Sequence, residues 1–393
     1  MAGRHVSLPP MSPLNLPVYL DYHATTPVDA RVFEAMVPYF MEVYGNPAST
    51  SHSVGLRALA AVEASRRLLA EHLYAAPQEV VFTSGASESN NLAIKGVVKL
   101  CGAKGRHVVT AATEHKAVLN ACRTLAAEGY DLTVLDVEPD GHLSLDAVER
   151  ALRPDTVLVS LMHANNEIGV IHDIPAIGAL CRARGILLHT DATQSIGKVA
   201  VDVRTLNADM ISMSAHKIYG PKGVGALYVR RPCRIAPLID GGGHEGGLRS
   251  GTLNVPGIVG LAKAVELATS HVEQDTAHAR RLRDRLWRAL SASFPTLTLN
   301  GPALPADADR RLPNNLNVSL PPEAGRSLLE AFTSVAVSTS SACTSATGEP
   351  SHVLTALGRA ADLVNLRLSV GRQTTDADID YVVACIERAA VAA

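Results

Sequence analysis

The sequence predicts an α/β protein with a large domain on a mostly parallel, seven-stranded sheet and a smaller α+β domain. Between residues 79 and 229, seven short apolar segments alternate with segments in which apolar residues recur at helical spacing. After about residue 265, a long helical segment is followed by short strand candidates and a closing helix. Alternating strands and helices build a parallel sheet that helices cover on both faces, and such sheets bind ligands at the carboxyl ends of their strands.

The candidate strands of the large domain are short apolar runs. They are Glu79–Thr83, His107–Ala111, Leu132–Val137, Thr156–His163, Ile186–Thr190, Met210–Met213 and Gly225–Val229. The helical segments between them carry Ala, Leu, Arg and Glu, and include His115–Glu128, Leu145–Leu152 and Ile174–Arg184. The smaller domain is predicted to contain a helix over Ala264–Phe294, strands at Thr296–Leu299, Asn315–Ser319, Ala336–Thr339 and Leu366–Val370, and a final helix over Asp376–Ala390.

The composition is that of an ordinary globular protein. Of the 393 residues, 47% are hydrophobic and 19% are charged, and the formal net charge is -2, so nothing indicates binding to nucleic acid or to an anionic membrane. No apolar run approaches the ~20 residues of a membrane span. Residues 1–17 lack the apolar core of a secretory signal and are expected to form a flexible leader. The six cysteines are scattered without metal-ligand spacing, which favours a reducing cytoplasm and no metal site.

Lys217 is the most informative residue of the chain. It lies in MSAHKIYGPKG (residues 213–223), between an apolar strand and a loop of Gly and Pro, beside Ser214 and His216. A lysine at the mouth of a sheet can lose its proton and hold pyridoxal 5'-phosphate (PLP) as an imine. By itself, this segment is more typical of a solvated loop lysine. Four other segments of the chain favour the PLP-binding interpretation over a solvated loop lysine.

Two of these segments suit a phosphate group. TSGASESNN (residues 83–91) follows a strand and opens a helix, so that free N–H groups and the Ser87 hydroxyl would suit an anion. The alternative for this segment is an ordinary helix N-cap. GGGHEGGLRSGT (residues 241–252) is rich in Gly, whose backbone can approach an anion closely. The alternative there is a mobile surface loop.

Two acid–base residues follow other predicted strands. Asp191 ends a strand predicted to be buried, where its carboxylate needs a partner, and a protonated pyridine nitrogen is a suitable one. The alternative is a helix-capping Asp. His115 begins a helix just past another strand, where it could stack on a ring and move protons. The alternative is a histidine that is merely polar.

Cys343 differs from the other five cysteines in its surroundings. It lies in STSSACTSA (residues 338–346), among small hydroxyl residues, with no apolar neighbour to bury it. An exposed thiol can act as a nucleophile when something helps it to ionise. The alternative is an incidental surface cysteine.

Together these segments resemble the cysteine desulfurases of the NifS/IscS type, which are class-V aminotransferase-like enzymes. The resemblance spans about residues 19 to 388 and is carried by DYHATTP (21–27), YGNP (44–47), TSGASES (83–89), TEHKAV (113–118), HANNEIG (163–169), DATQS (191–195), HKIYGPKG (216–223), RSGT (249–252) and SACTS (341–345). It implies the fold-type I architecture of PLP-dependent transferases. Residues 1–27 would be an N-terminal segment packing with the small domain, residues 28–265 the large PLP-binding domain, and residues 266–393 the small C-terminal domain carrying the Cys343 loop.

The resemblance also implies a role for each site residue. For the cofactor, Lys217 would carry PLP, Asp191 would pair with the pyridinium nitrogen, Gln194 would bond the ring oxygen, His115 would stack on the ring, and Asn166 would lie beside it. The phosphate would be held by Ala86, Ser87, Ser214 and His216, and by Thr252 reaching from the partner subunit of a homodimer. Asn166 and Arg367 would hold the substrate carboxylate, and Cys343 would accept the sulfur.

The implied reaction converts L-cysteine to L-alanine. Lys217 would remove the α-proton, and the Cys343 thiolate would attack the substrate sulfur. The resulting persulfide would pass sulfur to an acceptor protein in the cytoplasm, for iron–sulfur cluster biosynthesis, tRNA thiolation or DNA phosphorothioation. The chain stops soon after Arg388, without the longer tail that docks an iron–sulfur scaffold, so the acceptor is left open. Two other departures from the family pattern are Ser340 in place of Gly, which should stiffen the loop, and Ser87 in place of Thr, which keeps the hydroxyl.

Two alternative functions stay open. A selenocysteine lyase or another aminotransferase-like enzyme would share the PLP site without needing Cys343. A sulfur-relay docking subunit with secondary catalysis is disfavoured, because Lys217, Asp191, His115 and Cys343 are all present.

Overall fold

The structure is a computed structural model and describes residues 16–101, 104–339 and 350–392. In these ranges the strands form three sheets. The strands are β1 (Val18–Tyr19), β2 (Val80–Thr83), β3 (His107–Ala111), β4 (Asp131–Leu135), β5 (Thr156–Ser160), β6 (Leu187–Asp191), β7 (Met210–Ser214), β8 (Gly225–Val229), β9 (Thr298–Leu299), β10 (Asn315–Leu320), β11 (Val335–Ala336) and β12 (Val364–Ser369).

The largest sheet has seven strands in the order β2-β8-β7-β6-β5-β3-β4. Strand β8 runs antiparallel to both of its neighbours, and the other strands run in one direction. All seven strands predicted from the apolar pattern are present, with small shifts at their ends. The predicted α/β architecture with a mostly parallel sheet is therefore confirmed.

Helices cover both faces of this sheet. The α-helices are α1 (Ala30–Met36), α2 (Pro38–Met41), α3 (Ser53–Leu73), α4 (Ala86–Cys101), α5 (Lys116–Ala127), α6 (Leu145–Ala151), α7 (Ile174–Ala183), α8 (Val203–Leu206), α9 (Val255–Ser270), α10 (Val272–Ser293), α11 (Pro322–Ala331), α12 (His352–Ala356) and α13 (Asp376–Ala392). Alternate residues of a strand point to opposite faces. Accordingly, Phe82 packs in one apolar cluster with α3, α7 and α9, and Val81 packs in another with α4 and α5.

The single helix predicted over Ala264–Phe294 is wrong, because two helices occupy this region. Helix α9 ends and α10 begins at His271, whose backbone leaves the helical region with φ -117° and ψ 12°. The His271 ring Nδ1 lies 2.8 Å from Leu267 O, within the last turn of α9. Helical periodicity continues on both sides of this residue, so the pattern alone did not reveal the break.

A second core lies around a three-stranded antiparallel sheet in the order β12-β10-β9. Its apolar cluster includes residues of α10, α11 and α13, and also Val18 and Leu20 from the start of the described chain. Strand β1 pairs in parallel with β11. None of the helices in the described ranges is long and apolar enough to span a membrane.

Two buried histidines are expected to make the fold less stable in acid. His163 and His172 are 5% and 2% exposed, and burial lowers the pKa of His163 from its ordinary value to about 4 and that of His172 to about 3. Both rings stay neutral in the fold and take up protons on unfolding. The free energy of unfolding that the two neutral rings contribute is fully present above pH ~6.5. It is lost as the pH falls towards the folded pKa values, by about 1.4 kcal/mol per pH unit for each ring.

Urea unfolding of the protein at several pH values between about 6.5 and 4 measures this effect. We expect the free energy of unfolding to fall with pH, and His172→Asn to lessen the slope. A slope that His172→Asn leaves unchanged would contradict the assignment.

Candidate active site

A cavity of about 530 Å³ lies at the carboxyl ends of the parallel strands. Its walls include Asp191 and Ser214, the last residues of β6 and β7, together with residues that follow β2, β3 and β5. This volume is in the range of small-molecule sites. Ten of the twelve predicted site residues line the cavity: Ala86, Ser87, His115, Asn166, Asp191, Gln194, Ser214, His216, Lys217 and Arg367.

The other two predicted residues are Thr252 and Cys343. Thr252 is exposed in the Gly-rich segment and does not line the cavity of this chain, which leaves its predicted role in a partner subunit untested. Cys343 lies outside the described residues, so its position relative to the cavity is a prediction from the sequence.

Lys217 reaches the cavity from the short turn Ala215–Lys217 that follows β7. Its Nζ donates hydrogen bonds to His23 O at 2.7 Å and to Ala24 O at 2.6 Å. Both acceptors belong to the DYHATTP motif near the start of the chain, so this motif forms the wall against which the lysine is held.

Asp191 is held by two donors at the end of β6. Asn90 Nδ2 donates to Oδ2 at 2.7 Å, and the backbone N–H of Thr193 donates to Oδ1 at 2.9 Å. The residue is 7% exposed, and a carboxylate in such a place requires partners. These bonds fix the plane of the carboxylate beside the cavity.

His115 caps helix α5 and lines the cavity. Its Nδ1 accepts a hydrogen bond from the backbone N–H of Ala117 at 3.1 Å, which leaves the proton of the neutral ring on Nε2. Burial lowers the pKa of His115. The preceding Glu114 is buried, and burial raises the pKa of its carboxyl well above the ordinary value, although the backbone N–H of Met162 donates to it at 2.6 Å.

The opposite wall of the cavity is built by the start of α4 and the end of β7. A Cβ added to Gly225 would lie 2.7 Å from Gly85 Cα, so only Gly allows β8 to lie this close to the loop before α4. His216 lies two residues after Ser214, and its Nδ1 lies 3.1 Å from Thr25 Oγ1. Burial, with the nearby Lys217, lowers the pKa of His216 to about 4, so the ring is neutral at pH 7.

Arg367, on β12, closes a third side of the cavity. Its Nη2 donates to Asp21 Oδ1 at 2.8 Å and to Ser338 Oγ at 3.0 Å, and its Nη1 donates to Asn166 O at 3.0 Å. The residue is 3% exposed, and its buried Nε has no hydrogen-bond partner among the described residues. A buried donor left without a partner costs about 1–3 kcal/mol, while Arg367 itself lines the cavity.

Several residues at this site were given no role from the sequence. Asp21 and His23 belong to the DYHATTP motif, which by itself indicates no role for them. In the structure, Asp21 pairs with Arg367, and the buried His23 ring lies between Asn314 Oδ1 and Asn166 O. Asn90 was noted only as part of the segment that opens α4. For Lys198, the only indication in the sequence is its position four residues after Gln194.

Comparisons with known proteins give the family of the chain. The model of the aminotransferase class-V family matches residues 18–382. The chain belongs to this family. The predicted resemblance to class-V aminotransferase-like enzymes is therefore confirmed.

Similar members of the family include desulfurases. A cysteine desulfurase IscS from Vibrio vulnificus strain YJ016 is 53% identical over 385 residues, which cover 96% of this chain and 94% of that protein. A solved structure described as a NifS-like protein has a TM-score of 0.85 and 37% identity, and covers 94% of this chain and 98% of its own. The structure of SspA in complex with cysteine has a TM-score of 0.79 and 38% identity, and covers 91% of this chain and 100% of its own.

Proposed function

We propose that this class-V aminotransferase family member is a PLP-dependent cysteine desulfurase, which converts L-cysteine to L-alanine and passes the sulfur to an acceptor protein. The observation that carries the proposal is the convergence of Lys217, Asp191 and Arg367 on one cavity. An amine, an acid and a guanidinium are the groups needed to hold PLP and an amino-acid carboxylate. The relatives named above support the choice of L-cysteine as the substrate.

The donors and acceptors of the cavity fit PLP. The first turn of α4, with Ser87, and the adjacent Ser214 and His216 offer N–H and O–H donors for a phosphate. Asp191 would pair with the ring nitrogen, and Gln194 would bond the ring oxygen. Lys217 would hold the cofactor covalently. When bound, PLP draws electrons away from the α-carbon of the substrate.

The side chains of this chain would then bind the substrate and move its protons. Arg367 and Asn166 would hold the substrate carboxylate, with Asp21 and Ser338 fixing the guanidinium. Lys217 Nζ would take the α-proton. His115 carries its ring proton on Nε2, so it would serve as a proton donor in the same cavity.

We further propose that the site works in a cytoplasmic homodimer. The sequence motif that contains Thr252 would complete the phosphate site of the partner subunit. Cys343 would receive the substrate sulfur as a persulfide and deliver it to the acceptor, whether this serves iron–sulfur cluster assembly, tRNA thiolation or DNA phosphorothioation.

Cys343→Ser tests the proposal against its alternatives. In an assay with an added thiol, which reduces the persulfide and releases its sulfur as sulfide, we expect the PLP-loaded variant to form alanine and sulfide from L-cysteine at least about 100-fold more slowly, since the nucleophile is lost. Cys233→Ser is the matched control, because Cys233 is only partly exposed and does not line the cavity, and it should keep full activity. Full activity of Cys343→Ser on L-cysteine would contradict the proposal. Unchanged activity on selenocysteine would favour a selenocysteine lyase.

A further inference from the structure

Lys198 lies one helical turn beyond Gln194, in the turn that follows β6. Its Nζ donates a hydrogen bond to Gln194 Oε1 at 2.8 Å. Side chains four residues apart lie on the same side of such a turn. The partner of this ammonium is thus an amide oxygen rather than a carboxylate. Gln194 itself is 4% exposed and lines the main cavity.

The contact fixes which way the Gln194 amide points. Lys198 Nζ is the donor in this contact, so the amide oxygen faces Lys198. The amide nitrogen then faces the other way, where Nε2 donates to His23 O at 3.0 Å. This carbonyl also accepts from Lys217 Nζ. The amide N–H groups of Gln194 are therefore directed to the place where the reactive lysine lies.

Among the described residues, the positive charge of Lys198 is paired with the neutral Gln194 amide oxygen and not with a carboxylate. Burial and, to a smaller extent, the nearby Lys217 lower the pKa of Lys198 from its ordinary value to about 7. The two lysines also line a second, small cavity of about 40 Å³. An anionic group in the main cavity would compensate for both charges.

We propose that Lys198 is a positioning residue of the cofactor site, which holds the Gln194 amide with Nε2 directed at the ring oxygen of PLP. This inference rests on the proposed function, because it needs PLP in the main cavity. Lys198 acts through Gln194 and touches neither the cofactor nor the substrate.

A double-mutant cycle on PLP affinity tests the inference. The cofactor-free protein is titrated with PLP, and the dissociation constant is taken from the visible absorbance of the complex. We expect Lys198→Met to weaken PLP binding about 5- to 10-fold, the effect of one misdirected hydrogen bond. Lys198→Arg, which keeps a donor, should recover part of the loss. In a Gln194→Ala background, Lys198→Met should change the affinity by less than about 2-fold.

The outcomes separate this inference from the proposed function. If the unchanged protein does not bind PLP, the proposed function fails. If it binds PLP but Lys198→Met weakens binding equally with and without Gln194, or not at all, only the positioning role fails. Thermal unfolding of each cofactor-free variant shows whether it folds. Should Lys198→Met not fold, Lys198→Gln takes its place in the same cycle, with the same expected result.

Discussion

Lys217→Ala is expected to abolish the visible absorbance of bound PLP and to lower kcat for alanine formation at least about 1,000-fold. The amine is both the proposed attachment point of the cofactor and the proposed base for the α-proton. Its removal therefore takes away covalent binding and proton transfer together. Absorbance of the purified variant and a single-turnover assay of alanine measure the two losses separately.

Lys263→Ala serves as the control for loss of a lysine. Lys263 forms a surface ion pair with Glu266 at 2.9 Å and does not line the cavity. Such pairs contribute about 0–1 kcal/mol to stability, so this variant should keep its absorbance and its activity. If Lys217→Ala still formed alanine at the rate of this control, the role of Lys217 would be refuted.

Arg367→Lys is expected to raise KM for L-cysteine about 30-fold or more. A lysine keeps the positive charge but offers no planar fork to a carboxylate. Truncating a buried, hydrogen-bonded charge contact costs about 2–5 kcal/mol. Because Arg367 also donates to Asn166 O and pairs with Asp21, the replacement would disturb the wall that positions the substrate. Steady-state kinetics over a range of L-cysteine concentrations measures KM and kcat.

The matched control for this change is Arg66→Lys. Arg66 forms a largely buried pair with Glu245 at 2.7 Å, away from the cavity. Losing its fork should reduce stability to thermal unfolding and leave KM unchanged. An Arg367→Lys variant with normal KM and a reduced melting temperature would show that Arg367 is structural only.

The sheet was predicted well because its strands are short and largely buried. Buried strands read as apolar runs, and turn residues mark their ends. The break at His271 between α9 and α10 was missed, since periodicity continues on both sides of it. Helix α3 (Ser53–Leu73) was also not predicted, because its buried face includes Gly55, Ala58 and Ser65 and is therefore only weakly apolar.

The candidate site was predicted as a set of residues but not as a network. The motifs at strand ends identified ten residues that line one cavity, because carboxyl ends of parallel strands meet at one edge of a sheet. The residues that hold these side chains in place come from distant segments. Asp21 and Arg367 are 346 positions apart, and Asn90 and Asp191 are 101 apart. No local pattern specifies such contacts, so they emerge only from the fold.

The central claim is that Lys217 holds PLP in this cavity, and borohydride reduction tests it most directly. Reduction of the PLP-loaded protein makes the bond between cofactor and lysine permanent, and peptide mass spectrometry then locates it. Three other lysines, Lys116, Lys198 and Lys222, line this cavity or its small neighbour. We expect the reduced cofactor on Lys217 alone. Reduced cofactor on any of the other three lysines, with Lys217 unmodified, would contradict the assignment of Lys217.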